Sequence, residues 1–127
     1  MKIKDLGRRR AMKAYQFVSE ATEKLKGENL KKYKSYVKKL PMLIKTNGLA
    51  SAIAFVHGKK EQAWSLLYKQ VEDWAREQNP SLQGSPLVKT VIEVPTSQYM
   101  ALTGEVLSLL EWMRRFADGM IEGESSS

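Results

Sequence analysis

Apolar residues recur every three or four positions along most of this chain, the spacing that lays one stripe along a helix. Ala11, Ala14, Tyr15, Val18, Ala21, Thr22 and Leu25 form the first stripe. They predict a helix from about Ile3 to Lys26, ended by Gly27. Leu30, Tyr33, Val37 and Leu40 predict a second from about Glu28 to Leu40. Pro41 then opens a separate apolar turn, because a proline's missing N–H is unbonded at a helix start anyway. Thr46-Asn47-Gly48 closes it, since glycine supplies the positive φ of a C-terminal cap. The small apolar residues Leu49 to Val56 restart at once as a short helix. Ala63, Leu67, Val71, Trp74 and Ala75 mark another, from about Glu61 to Gln78.

Asn79 to Pro86 is the clearest loop, with two prolines, a glycine and two serines. Leu87 to Val94 is rich in β-branched residues, but a lone strand has no partner here, so a short helix is expected. Thr96 follows Pro95 and is a suitable N-cap for the last helix. Leu102, Val106, Leu109, Leu110, Met113, Phe116, Ala117 and Met120 form its core face, with Gly119 near its end. The expected fold is all-α, a single compact bundle of about six helices over residues 1–120. Residues 121–127 read as a flexible polar tail.

A chain of 127 residues suits one domain with a real core. It has no cysteine, which excludes a disulfide framework, a thiolate zinc site and a thiol nucleophile. The longest nearly apolar run, Leu49 to Val56, falls far short of the roughly 20 residues of a membrane span. The basic, amphipathic start has something of an organelle presequence, but its stripe runs on unbroken into a lasting helix. A cytoplasmic location is expected, with no membrane partner.

The net charge of +7 conceals a division. Residues 1–60 carry 16 Lys/Arg against 4 Asp/Glu, a surplus of +12, whereas residues 61–127 carry 5 against 10, a surplus of −5. The basic half suits a polyanion such as nucleic acid. Alternatively, basic and acidic halves attract each other between copies, a head-to-tail contact that propagates into a filament if it does not close. The plainest alternative is a set of solvated lysine faces.

Little in the chain suggests catalysis. His57 is the only histidine, so two-histidine metal sites are excluded. Glu72 and Asp73 are adjacent and point apart on a helix. Glu105 and Glu111 lie among other charges and are expected to face solvent. There is no Gly-rich phosphate loop, Ser/His/Asp set or metal spacing. A non-enzyme is expected, without cofactor, metal or small-molecule substrate. Most aromatics, including Tyr15, Tyr33, Trp64, Trp74, Trp112 and Phe116, coincide with core stripes. Tyr36, between Lys34 and Lys38, is the best candidate for stacking on a base, provided it is exposed.

The basic residues carry the strongest chemical case. Arg8, Arg9, Arg10 and Lys13 open the first helix. Arginines there oppose the helix dipole, which hints at an anionic partner unless Asp5 compensates. Lys31, Lys34 and Lys38 form a predicted ridge at i, i+3, i+7 on the second helix. Lys45, Thr46 and Asn47 stand at the sharp corner, where a phosphate contact and a plain helix cap are equally good readings. Arg114 and Arg115 sit beside the last core face, within pairing distance of Glu111 and Asp118.

Three blocks carry a family resemblance: Ala11-Met12-Lys13-Ala14-Tyr15, the Lys38–Phe55 corner, and Tyr99 to Gly119 with its run Leu107-Ser108-Leu109-Leu110-Glu111-Trp112-Met113-Arg114-Arg115-Phe116-Ala117. Together they resemble the small all-helical subunit of the type III-B CRISPR effector, the Cmr complex. The resemblance covers most of the chain but not Asn79–Pro95. It implies a non-catalytic subunit in contact with other Cmr subunits. It also implies a filament of further copies, and contact through the complex with crRNA and target RNA. On that reading Arg9, Arg10, Lys13, Lys38 and Lys45 would touch phosphates without reading sequence.

The rival is a helix-turn-helix-like regulator of double-stranded DNA, since an apolar turn, a glycine and a second helix occur in order. Its recognition helix would be Leu49–Val56, which offers only Ser51 to a base edge. A pure scaffold without nucleic-acid contact is the third possibility.

Overall fold

The computed structural model describes residues 5–82 and 84–123, and their order is six α-helices with one 3-10 turn. They are α1 (Leu6–Lys24), α2 (Glu28–Asn47), α3 (Leu49–His57), α4 (Gln62–Gln78), α5 (Leu87–Glu93) and α6 (Thr96–Met120), with the 3-10 turn at Pro80–Leu82. The expected start at Ile3 and the final residues 124–127 lie outside the described residues. No strand occurs among those described.

The last helix is the spine. α1 and α2 pack chiefly on α6 rather than on each other, while α4 lies against α2 and α3 against α5. The buried stripes agree with the apolar periods: Ala14, Val18 and Ala21 on α1, Tyr33, Val37 and Leu40 on α2, Leu67, Val71 and Trp74 on α4, and Leu102, Val106, Leu109, Leu110 and Met113 on α6. Phe17 is buried where Tyr15, assigned inward by its spacing, is half exposed.

Pro41 does not begin a helix; it lies inside α2, which runs unbroken for 20 residues. Interior proline loses one backbone hydrogen bond and costs about 3 kcal/mol. Core packing outweighs that cost, because Ile44 continues the buried stripe of Tyr33, Val37 and Leu40 in phase. Gly48 at φ 87° makes the corner into α3, and its N–H donates to the Ile44 carbonyl at 2.8 Å. The Tyr99 hydroxyl accepts the Ala50 N–H at 3.0 Å, tying the start of α3 to α6.

The β-branched segment 87–93 is helical because α4 caps it. Glu72 accepts the Leu87 N–H at 2.9 Å, and the Tyr68 hydroxyl accepts that of Val88 at 3.2 Å. Arg76 holds the preceding loop by donating to the Ser85 carbonyl at 2.8 Å. Thr96 is the first residue of α6 rather than its cap; Pro95 takes the cap position and no side chain bonds there. Ile121, assigned to the polar tail, is 3% exposed and belongs to the core.

One buried polar group fastens three helices. Gln70 on α4 accepts from the Tyr33 hydroxyl at 2.6 Å and donates to the Phe17 carbonyl at 2.9 Å and to Glu20 at 3.0 Å. Burial pushes the Tyr33 phenol well above its ordinary value, so it remains a donor at any physiological pH. Gln70→Ala strands the buried Tyr33 hydroxyl, which costs about 1–3 kcal/mol when unsatisfied. A loss of about 2 kcal/mol, read as a lower urea midpoint at unchanged m-value, is expected.

Candidate nucleic-acid interface

The start of α1 is self-compensated. The Asp5 carboxylate caps the helix by accepting the Arg8 N–H at 2.8 Å, and it also accepts from the Arg8 guanidinium. Those two bonds hold the Asp5 carboxyl below its ordinary value. Arg10 turns inward and binds Glu105 on α6 through two parallel bonds of 2.7 and 2.9 Å. The Trp74 indole N–H donates to the same carboxylate at 2.9 Å. The Glu105 side chain is 13% exposed, not solvent-facing as its charged surroundings suggested. Its bond from Arg10 holds its pKa down, against the opposing effect of burial. Lys13 pairs with Glu77 at 3.1 Å. Of this basic cluster, Arg9 alone has no carboxylate within 4.0 Å among the described residues.

The predicted ridge on α2 is also altered. Lys34 is 4% exposed, and its ammonium donates to the carbonyls of Ile121 at 2.8 Å and Gly123 at 3.4 Å. Lys38 is 11% exposed at its side chain and lies 2.8 Å from Asp118. Both lysines anchor the C-terminal end of α6, so Lys31, Lys34 and Lys38 do not form a continuous outer ridge. The outward face of α2 instead presents Lys31, Lys32, Ser35, Lys39, Met42, Lys45 and Thr46. Lys32 is 3.6 Å from Glu61. Lys31, Lys39 and Lys45 have no carboxylate within 4.0 Å among the described residues. The rise of a helix spaces Lys31 and Lys45 by about 21 Å.

At the corner, Lys45, Thr46 and Asn47 are all exposed. Arg114 pairs with Glu111 at 2.8 Å and reaches Asp118 at 4.0 Å, and Arg115 lies 3.5 Å from Glu111. The pairing expected from their spacing is thus present, and both arginines keep substantial exposure. The bond from Arg114 holds Glu111 below its ordinary value, and the nearby charge of Lys45 adds to the effect. Lys38, Lys45, Arg114 and Arg115 therefore share the α2/α6 side of the bundle with two acidic partners.

Tyr36 is not an open stacking platform. Its ring lies on Trp64 with centroids 4.0 Å apart and planes 7° from parallel. Its hydroxyl donates to Glu61 at 2.6 Å, which with burial pushes the phenol up to about 12. His57 is exposed, with its ring 5.3 Å from that of Tyr68. Among the described residues no three His, Cys, Asp or Glu side chains gather to hold a metal, and no helix is long and apolar enough to cross a membrane.

The charge division is answered in part within the fold. Arg10–Glu105, Lys13–Glu77, Lys32–Glu61 and Lys38–Asp118 each join the basic half to the acidic half. The outer stripe of α2 and Arg9 remain open positive charge, as do the scattered exposed lysines Lys26, Lys60, Lys69 and Lys89. Lys39 is the residue that the predicted ridge missed. It belongs to the stripe seven residues after Lys32, on the side away from Tyr33, Val37 and Leu40. The helix-turn-helix alternative loses its form as well. α2 is one long helix, and α3 buries Leu49, Ala52, Ile53 and Val56.

The family sequence model described as CRISPR-associated protein (Cas_Cmr5) matches residues 6–120. The CRISPR system Cmr subunit Cmr5 of Thermus thermophilus is 35% identical over 112 residues, covering 88% of this chain and 92% of the relative. The crystal structure of a CRISPR-associated Cmr5 family protein from the same organism superimposes with a TM-score of 0.75 at 32% identity, over 94% of this chain and all of that one. The chain spans nearly the whole length of both and shares the fold of that crystal structure, and it belongs to the Cmr5 family, the small subunit of the type III-B Cmr complex.

Proposed function

We propose that this chain is a non-catalytic subunit that braces the guide and target RNA within a cytoplasmic Cmr complex. The observation that carries this reading is the outward stripe of Lys31, Lys39 and Lys45, open cations on one rigid 20-residue helix. Cations of this kind bind a phosphate backbone without reading its sequence. Arg9 extends the set on α1. Arg8, Arg114 and Arg115, exposed though paired, and the polar Thr46 and Asn47 are secondary contacts. Arg10, Lys13, Lys34 and Lys38 act by holding the fold.

Copies of the subunit stack head to tail along the RNA on this proposal. A heterologous contact uses two different patches of one surface. Ile92 and Met100, the most exposed large apolar residues beside Met42, offer one of them.

RNA affinity of the reconstituted complex, measured against salt, tests the RNA reading. Reversing Lys31, Lys39 and Lys45 to glutamate is expected to flatten log K against log salt by about 0.7 for each single-strand phosphate no longer neutralised. An unchanged slope would sink the stripe as the RNA face, and assembly and RNA binding both intact would favour a pure scaffold.

A further inference from the structure

The chain beyond α6 covers a cation that the basic stripe of α2 would otherwise include. Lys34 follows Lys31 by three residues, a spacing that sets two side chains beside each other on a helix. Lys31 is exposed, whereas Lys34 is 4% exposed. The Lys34 ammonium has no carboxylate within 4.0 Å among the described residues. Its acceptors there are two neutral carbonyls, those of Ile121 and Gly123. A buried cation without a counter-charge gives up much of its hydration for such contacts, so the closed arrangement is weakly held.

Residues 121–123 form a short strap. Ile121 leaves helical geometry at φ −118°, ψ 125°, and its buried side chain is the strap's one apolar anchor. Glu122 and Gly123 are exposed. Gly123, at φ 134°, lies along the stem of Lys31, where a Cβ would stand 3.6 Å from the Lys31 Cγ. Glu122 and Lys31 both line a cleft of about 310 Å³, with Thr22, Gly27, Leu30 and Met120. The strap thus occupies the side of α2 that carries Lys31 and Lys34, and it brings a carboxylate there. One apolar side chain and one cation fasten it, so it opens at a lower free energy than the bundle. An arriving phosphate strand repels Glu122 and offers the Lys34 ammonium a charged acceptor, which binds more strongly than a neutral carbonyl.

We infer that the strap 121–123 is an autoinhibitory cover. Closed, it withdraws Lys34 from the basic stripe, and Lys34 holds the fold. Open, it adds Lys34 to Lys31, Lys39 and Lys45 as a phosphate contact. The inference rests on the RNA reading of α2. RNA that binds the open form better draws the strap open, and a looser strap binds RNA more tightly in return.

Two measurements on the full chain, with a single-stranded oligouridylate at low salt, test it. In the parent, the oligouridylate should speed hydrogen exchange of the Ile121 amide, which donates to the Ala117 carbonyl at 3.0 Å, at least threefold. Exchange at Leu109, inside α6, should not speed up. A merely frayed helix end predicts no change, and simple coverage by RNA predicts slowing. Ile121→Ser, which removes the anchor, should bind the oligouridylate at least threefold tighter. Its log K against log salt should steepen by about 0.7, for one added phosphate contact. Ile121→Ser/Lys34→Met should lose that gain although its strap is equally loose. If Ile121→Ser fails to fold, exchange in the parent still decides. Unchanged or slowed exchange at Ile121 overturns the inference. So does the absence of a gain in Ile121→Ser, or a gain that survives Lys34→Met. The Lys31/Lys39/Lys45 reversal separates the two readings. Weakened binding there, with no gain in Ile121→Ser, sinks the strap alone, whereas undiminished binding sinks the stripe and the strap with it.

Discussion

Trp64→Ala is expected to lower the stability of this protein by about 4 kcal/mol, within the 3–5 kcal/mol range of buried tryptophan truncations. Trp64 is 2% exposed and carries Tyr36 flat against one face. Phe55 meets it edge-on at 6.0 Å and 88°. Removing the indole deletes both aromatic contacts and leaves a cavity among α2, α3 and α4. It also releases the ring that places the Tyr36 hydroxyl on Glu61. For a domain of this size the loss corresponds to a melting temperature lower by about 15 °C. Trp64→Phe, which keeps a ring in the gap, should lose less than half as much. A fall of under 1 kcal/mol for the alanine variant in urea unfolding would mean that the three helices do not depend on this stack.

Glu105→Ala comes next, at about 3 kcal/mol. It leaves the Arg10 guanidinium and the Trp74 indole N–H without their common acceptor, in a site with little solvent to replace it. Removing one member of a buried pair costs 3–5 kcal/mol, and the partial exposure of Arg10 puts this case at the low end. Glu105→Gln, which retains an oxygen acceptor but not the charge, should fall between parent and alanine. The pH dependence has a definite direction. Glu105 titrates below its ordinary value of 4.5 in the folded protein. Its stabilisation is therefore fully present above the unfolded value and disappears as pH falls through the lower, folded one. Melting temperatures should be nearly flat from pH 6 to 8 and drop below about pH 4.5, with a smaller acid drop in Glu105→Gln. An identical acid limb in the two proteins would remove Glu105 from the titrating set.

The helices were legible because apolar period alone defines them. Their phase was legible too, wherever the stripe held several residues, as on α4 and α6. Pro41 misled because a local rule about proline was weighed without continuing the stripe; Ile44 stands seven residues after Val37 and signals a single helix. The open basic stripe was misplaced for a related reason. Lys34 and Lys38 lie on the edge of α2 beside the end of α6, where the Ile121 and Gly123 carbonyls and the Asp118 carboxylate hold their ammonium groups, partners that no local spacing shows. Counting outward from the buried face leads to Lys39. The partners of Arg10 and Gln70 had no signal in the sequence, since Glu105 is 95 residues from Arg10 and Gln70 is 37 from Tyr33. Nothing local marks such pairs. Tyr15 was misassigned by the same ambiguity, because an exposed tyrosine at helical spacing looks like core until its neighbours are known.

The packing of α1 on α6 has a consequence for biosynthesis. α1 leaves the ribosome well before α6, its principal partner, has been made. At about 5–20 residues per second, the interval between translating Arg10 and Glu105 is about 5–20 s. Through that interval the apolar stripe of α1 has only the partial cover of α2 and α4. Emergence of α6 is therefore the step that covers the α1 stripe and ends its exposure to proteases and chaperones.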